Sequence, residues 1–119
     1  MTETSRRSQK VASQIKENLS WLIENKLRDP RKGFITITKV RLSPDLKLAN
    51  VYYSVFGEPE DRRSTEEALS GAKGYLRREL GSRIKLRFLP ELRFFYDDSL
   101  DYSDKIARLL NKINKNESN

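Results

Sequence analysis

Residues 70–80 read SGAKGYLRREL, and Gly71-Ala72-Lys73-Gly74 within them spell G-x-x-G around a basic side chain. In a short loop between two helices, that spelling grips phosphate: the glycines admit a nucleic-acid backbone and the cation neutralises it. Inside one helix the same letters mark a bend, because paired glycines are a recognised cause of bending. Placing the residues at 100° intervals separates the two cases. Ala68, Ala72 and Leu76 fall on one stripe, flanked by Leu69, Tyr75 and Leu80. The stripe keeps its phase through all four residues, which favours a continuous but bent helix over an inserted loop.

Opposite the stripe, Ser70, Lys73, Gly74, Arg77 and Arg78 form one contiguous arc. On an ordinary solvated face such cations are laced to acids three or four residues away. Lys73, Arg77 and Arg78 have none at those positions. Lys73 and Arg77 are themselves a like-charge pair, costing about 0.2–0.5 kcal/mol that a negatively charged partner would remove. Acids elsewhere in the fold are the bland alternative. Gly74 at the centre of the arc lets a phosphate approach the backbone. Arg83, Lys85, Arg87 and Arg93 extend the basic run; in extended chain Lys85 and Arg87 alternate with Ile84, Leu86 and Phe88 and project together away from a core. For these residues alone, a solubilising sheet edge is an equal alternative. The RNA-binding candidates are therefore Lys73, Gly74, Arg77, Arg78, Arg83, Lys85 and Arg87, with Ala72 and Gly74 as the structural kink.

Other chemistries find little support. The chain has no cysteine and no histidine, which removes thiolate metal sites, the commonest general base and every Ser-His arrangement. Asp97 and Asp98 are adjacent, so in a strand they would point to opposite faces; they read as loop carboxylates at the start of a helix. Trp21 lies off the main stripe of its helix, where it caps the edge of a core or stacks on a base. The rings of Tyr52, Tyr53, Phe94, Phe95 and Tyr96 suggest a base-stacking platform. The sequence motif of such platforms is missing, and alternation buries half of these rings. No phosphate-binding loop of the nucleotide hydrolases, zinc spacing or nucleophile elbow occurs. The expectation is a binding protein with no cofactor, metal, catalytic residue or small-molecule substrate.

Length and charge agree with this. A chain of 119 residues fits a single domain, with a core over about 6–113 and a polar tail at 114–119. Of the net charge of +7, residues 69–93 supply seven basic against two acidic side chains, whereas 58–68 carry five acids against two bases. A basic patch this concentrated suits a polyanion. With no signal-like apolar segment near the N-terminus and no run of membrane-spanning length, a cytoplasmic location is expected, away from membranes.

The elements that must position the arc are legible from periodicity. Val11, Ile15, Leu19 and Leu22, widened by Ile23 and Leu27, predict a helix from about Ser8 to Leu27 that stops at Asp29-Pro30. FITITKVRL and LANVYYSVF are strands joined by the turn Ser43-Pro44-Asp45, with Ala49, Val51, Tyr53 and Val55 on one face. GEPEDRRS reads as an acidic loop, and Ser64 with Glu67 as the capping box that starts the next helix. After Gly81 the basic run leads through Pro90 to a third strand, Leu92–Tyr96. A last helix carries Ile106, Leu109, Leu110 and Ile113. The order is α-β-β-α-(bend)-α-β-α.

RDPRKGFITITKVRLSPDLKLANVYYSV together with AKGYLRRELGSRIKLRFLPELRFFYDDSL resembles the ribosome-binding factor A family. The resemblance rests on Asp29, Pro30, Arg31 and Gly33, on Ala72 and Gly74, and on Pro90, Glu91, Leu92, Phe94 and Tyr96, and covers roughly residues 6–113. It implies an α+β fold: a single type II KH-like domain (α-β-β-α-kink-α-β) with a three-stranded sheet and a C-terminal helix. In that family an A-x-G bend replaces the G-x-x-G loop; Gly71 departs from the pattern by restoring the letters of the loop. The resemblance further implies a monomeric bacterial assembly factor. Such factors bind 16S rRNA on the free small (30S) ribosomal subunit late in its maturation. They assist processing of the 16S precursor, support growth in the cold and act alongside assembly GTPases. Two other classes stay open: a general single-stranded RNA-binding KH module, and an adaptor whose basic face meets an acidic protein.

Overall fold

The computed structural model describes residues 6–99 and 109–112. Its elements are α1 (Arg6–Asn25), β1 (Phe34–Leu42), β2 (Leu48–Phe56), α2 (Pro59–Arg83) and β3 (Glu91–Tyr96). The strands form one sheet in the order β1-β2-β3, β1 antiparallel to β2 and β3 parallel to it. Both helices cover one face. Ile15, Leu19, Leu22 and Ile23 of α1, and Leu69, Leu76 and Leu80 of α2, meet Ile37, Val51, Tyr53 and Leu92 of the sheet in one core. This α+β arrangement is the KH-like fold that the resemblance implies. Of the expected last helix, only 109–112 lie among the described residues, and they are helical.

β1 cannot be read as a simple alternation. Its core-facing residues are Ile35 and Ile37, then Val40 and Leu42, so the parity changes midway. The sheet absorbs the change at Thr38: Ile37 pairs with Tyr53 and Lys39 with Tyr52, leaving Thr38 as the extra residue of a bulge. Thr38 Oγ1 donates to Asp97 Oδ2 at 2.6 Å, and Asp97 N donates to the Tyr53 carbonyl at 2.7 Å. The bulge thus ties the end of β3 back to the sheet.

Three boundaries differ from expectation. α2 begins at Pro59, five residues before Ser64. Proline suits the first helical position, where its missing N–H costs nothing, and Asp61 Oδ2 accepts from Glu58 N at 2.8 Å in the manner of a capping box. Ser64 instead donates to the Asp61 carbonyl within the helix. The helix also runs past Gly81 to Arg83, and Leu89 packs over the glycine, where a Cβ would lie 3.0 Å from Leu89 Cδ2. α1, for its part, ends at Asn25 and not at Leu27. Lys32 Nζ caps its C-terminus by donating to the Ile23 carbonyl at 2.7 Å.

Candidate nucleic-acid interface

The central question of the sequence is answered by α2, which is one α-helix from Pro59 to Arg83. Gly71-Ala72-Lys73-Gly74 is therefore helical, and no G-x-x-G loop is formed. Thr65, Ala68, Leu69, Ala72, Leu76 and Leu80 are buried along its inner face, as the unbroken phase predicts. Ser70, Gly74, Arg77 and Arg78 are exposed on the outer face and Lys73 is half-buried at its margin. The two glycines differ in surroundings. A Cβ at Gly71 would meet Arg31 Nη2 at 3.5 Å, an ordinary contact, whereas one at Gly74 would meet nothing within 4 Å.

The seven candidates separate into two kinds. Arg77 turns its guanidinium along the helix surface and donates from Nε to the Pro90 carbonyl at 3.0 Å and from Nη2 to the Leu89 carbonyl at 2.9 Å. It thereby holds the connection to β3 against α2. Arg83 lies over the Trp21 ring, 4.2 Å from its centroid, and donates from Nε to Asn18 Oδ1 at 2.9 Å. These two side chains stitch the fold together. Arg87 sits 5.5 Å over the exposed ring of Phe88. Lys73, Arg78 and Lys85 make no hydrogen bond, ion pair or ring contact among the described residues. No acid among the described residues pairs with them, since every ion pair there belongs to Arg31.

The segment after α2 only partly follows the expected alternation. Residues 84–90 form no strand. Lys85 and Arg87 point outward and Ile84 inward as expected, but Phe88 is 71% exposed. With Arg77 bonded to the carbonyls of Leu89 and Pro90, the chain turns before Phe88 can reach the core.

The Asp29–Gly33 junction flanks this surface. Asp29 accepts from Arg31 three times: from the backbone N at 2.9 Å, from Nε at 3.1 Å and from Nη2 at 2.7 Å. Those bonds hold the Asp29 carboxyl at about 2. Arg31 also reaches Glu67 of α2, Nη1 to Oε2 being 3.8 Å. Gly33 N donates to Thr65 Oγ1 at 2.9 Å. Thr65 is wholly buried, and reading by residue type passed over it, because a threonine on a helix carries no sign that it will serve a distant backbone. Leu27, Pro30, Ala72 and Tyr75 line an open hollow between the junction and α2. Asp97 is a loop carboxylate as expected, held at about 2 chiefly by the Ser99 and Thr38 hydroxyls. Among the described residues no acidic cluster could hold a metal ion, and no helix is long and apolar enough to cross a membrane.

Comparison with known proteins accords with this geometry. Residues 7–110 match the family described as ribosome-binding factor A. The ribosome-binding factor A of Citrifermentans bemidjiense is 48% identical over 108 residues, covering 91% of each chain. The crystal structure of ribosome-binding factor A from Thermus thermophilus superposes with a TM-score of 0.67 at 34% identity, covering 75% of this chain and 93% of that one. Coordinates of the Thermus thermophilus factor fitted into a cryo-EM map of its 30S complex give a TM-score of 0.61 at 36% identity, covering 73% and 91%. The chain belongs to the ribosome-binding factor A family.

Proposed function

We propose that this protein binds the free small ribosomal subunit through 16S rRNA late in its maturation. In this reading it makes the 16S precursor accessible to processing nucleases without cleaving RNA itself. It acts as a cytoplasmic monomer, carries no cofactor, supports growth in the cold, and shares its site of action with an assembly GTPase. One observation carries the reading: the side chains of Lys73 and Arg78 are unpaired on the helix that carries Gly74, where the surface is open to an approaching phosphate, and Lys85 is unpaired beyond the helix end. The relative fitted into a 30S map supports the choice of polyanion. Ala72 and Gly74 mark where α2 bends in this reading, Ala72 facing the core and Gly74 the RNA. The unbroken helix offers no clamp loop, so a general single-stranded KH module finds no support in this region.

The test uses Lys73→Glu and Arg78→Glu together. Arg77 is left intact because its bonds to Leu89 and Pro90 make its replacement a change in the fold as well as in the charge. Affinity for purified small subunits should fall at least tenfold, and the magnitude of the salt slope by about 2, one for each lost phosphate contact. Unchanged affinity in a variant that keeps its circular dichroism spectrum rules out this face.

A further inference from the structure

The face of the sheet turned away from the helices carries a second, differently built constellation. Strand register assembles it from all three strands. Lys39, Tyr52 and Phe95 lie directly opposite one another in one row, and Arg41, Asn50 and Arg93 in the next. The bulge at Thr38 is what brings Lys39 and Arg41 to this face, since strict alternation from Ile37 would have turned both inward. Alternation buries Tyr53 and leaves Phe94 and Tyr96 packed on the core. The other rings, Tyr52 and Phe95, stack on each other outside it, with centroids 5.5 Å apart and planes inclined by 29°. Lys39 Nζ lies 4.6 Å over the Tyr52 ring, and Phe95 is 43% exposed. Arg41 and Arg93 have no carboxylate partner among the described residues, and Lys39 forms no ion pair there, though its charge is felt by Asp97.

We infer that this open face is a binding site for single-stranded RNA, distinct from the outer surface of α2. An unpaired base stacks on Phe95 beside Tyr52, its phosphates meet Lys39, Arg41 and Arg93, and Asn50 between the two guanidinium groups offers a donor and an acceptor to a base edge. The combination of ring faces with flanking cations is what non-paired strands use, because every base has a π-face and every step a phosphate. The adjacent rows lie roughly 7 Å apart, two residues along a strand, so that one row presents rings and the next presents charge along a single track. A protein partner fits less well, because lysine is depleted from protein interfaces and Lys39 lies directly over the ring. With α2 on one side and this face on the other, the domain would hold two RNA segments at once.

The decisive experiment is an NMR titration of the full chain with an unstructured ten-nucleotide RNA, which requires no ribosome and so stands apart from the subunit-binding test. Amides of Lys39, Arg41, Tyr52, Arg93 and Phe95 should shift, and should still shift in the Lys73→Glu/Arg78→Glu variant. Phe95→Leu, which keeps an apolar side chain but loses the π-face, should weaken binding at least fivefold. Arg41→Gln with Arg93→Gln should lower the magnitude of the salt slope by about 1.4, from two lost contacts to a single strand. Shifts confined to α2, or a Phe95→Leu variant that binds the oligonucleotide like the parent, overturn the inference. It is equally overturned if these variants lose affinity for intact subunits but not for the oligonucleotide or naked 16S RNA, since the face would then dock on a ribosomal protein.

Discussion

The junction at residues 28–33 and the α2 stretch at 73–78 each carry three cations, yet they use them in opposite ways. At the junction Arg31 is forked onto Asp29 and near Glu67, and Lys32 caps α1. Along α2 Lys73 and Arg78 are bonded to nothing among the described residues, and only Arg77 is engaged. Charge density in a sequence therefore does not measure charge available to a partner. The junction engages two of its three cations in fixing the entry to β1, Arg28 alone standing exposed; the helix keeps two of its three in reserve.

The largest effect should come from the junction's buried anchor. Thr65→Val replaces a hydroxyl by a methyl of similar size and leaves Gly33 N–H without its acceptor. Stability should fall by about 1–3 kcal/mol, the cost of an unsatisfied buried donor, as read from denaturant midpoints at constant slope. A loss below the error of the measurement would show that the contact between β1 and α2 does not depend on this bond.

Next comes the pair Arg77 and Arg78, neighbours of the same type with opposite duties. Arg77→Ala should destabilise by about 1–2 kcal/mol through two lost charged hydrogen bonds to carbonyls. Arg78→Ala should leave the melting temperature within about 2 °C and reduce affinity for small subunits instead. Equal stability losses in the two variants would erase the distinction.

The glycines sharpen the contrast further. Both are interior to a helix, so alanine should stabilise each variant by about 0.4–1 kcal/mol, since neither Cβ meets a close contact. Their effects on binding should diverge. Gly71→Ala places its methyl beside Arg31, on the structural side, and affinity should hold. Gly74→Ala fills the gap among Lys73, Arg77 and Arg78, so affinity for small subunits should fall while stability rises. A Gly74→Ala variant that binds unchanged would remove close backbone approach from the proposal.

Much of this was legible beforehand, for reasons that can be named. The phase of Ala68, Ala72 and Leu76 decided between helix and loop because burial along a helix is a local property with a fixed period. The same held for Ala49, Val51, Tyr53 and Val55 on β2. The duties of Arg77 and Arg83 were not legible, because their partners Leu89, Pro90, Trp21 and Asn18 come from other elements and nothing local brings them near. Absence of an acid at helical spacing proved a sound sign for Lys73 and Arg78 but silent about carbonyls and rings. The bulge in β1 was written in the change of parity between Ile37 and Val40, which reading the strand as one run passes over. Ser64 and Glu67 match the usual capping pattern, whereas the cap that forms pairs Glu58 with Asp61 ahead of Pro59, and a glutamate at the cap position does not carry that signature.

The smallest effect concerns acid, and it asks whether the engaged junction differs from the rest when its anchor is neutralised. Asp29 is held at about 2 by Arg31, and Asp97 at about 2 by hydroxyl donors from Ser99 and Thr38. In both, the folded value lies below the model-peptide value of 3.8. The native state therefore binds fewer protons than the unfolded chain, and each carboxylate contributes stability that is fully present above about pH 4 and is lost as pH falls through about 2. Both groups are partly open to solvent, which screens the contribution, so it should be small. The two should still respond differently to salt. The Asp29 pair is ionic, and its titration midpoint should rise as salt is added; Asp97 is held mainly by neutral hydroxyl donors, and its midpoint should move less. Carboxyl-carbon NMR titrations at low and high salt read both in one sample. If Asp97 shifts with salt as much as Asp29, then Lys39, the cation that also lowers Asp97, governs it more than the hydroxyls do, and the bulge at Thr38 loses its part in holding the carboxylate.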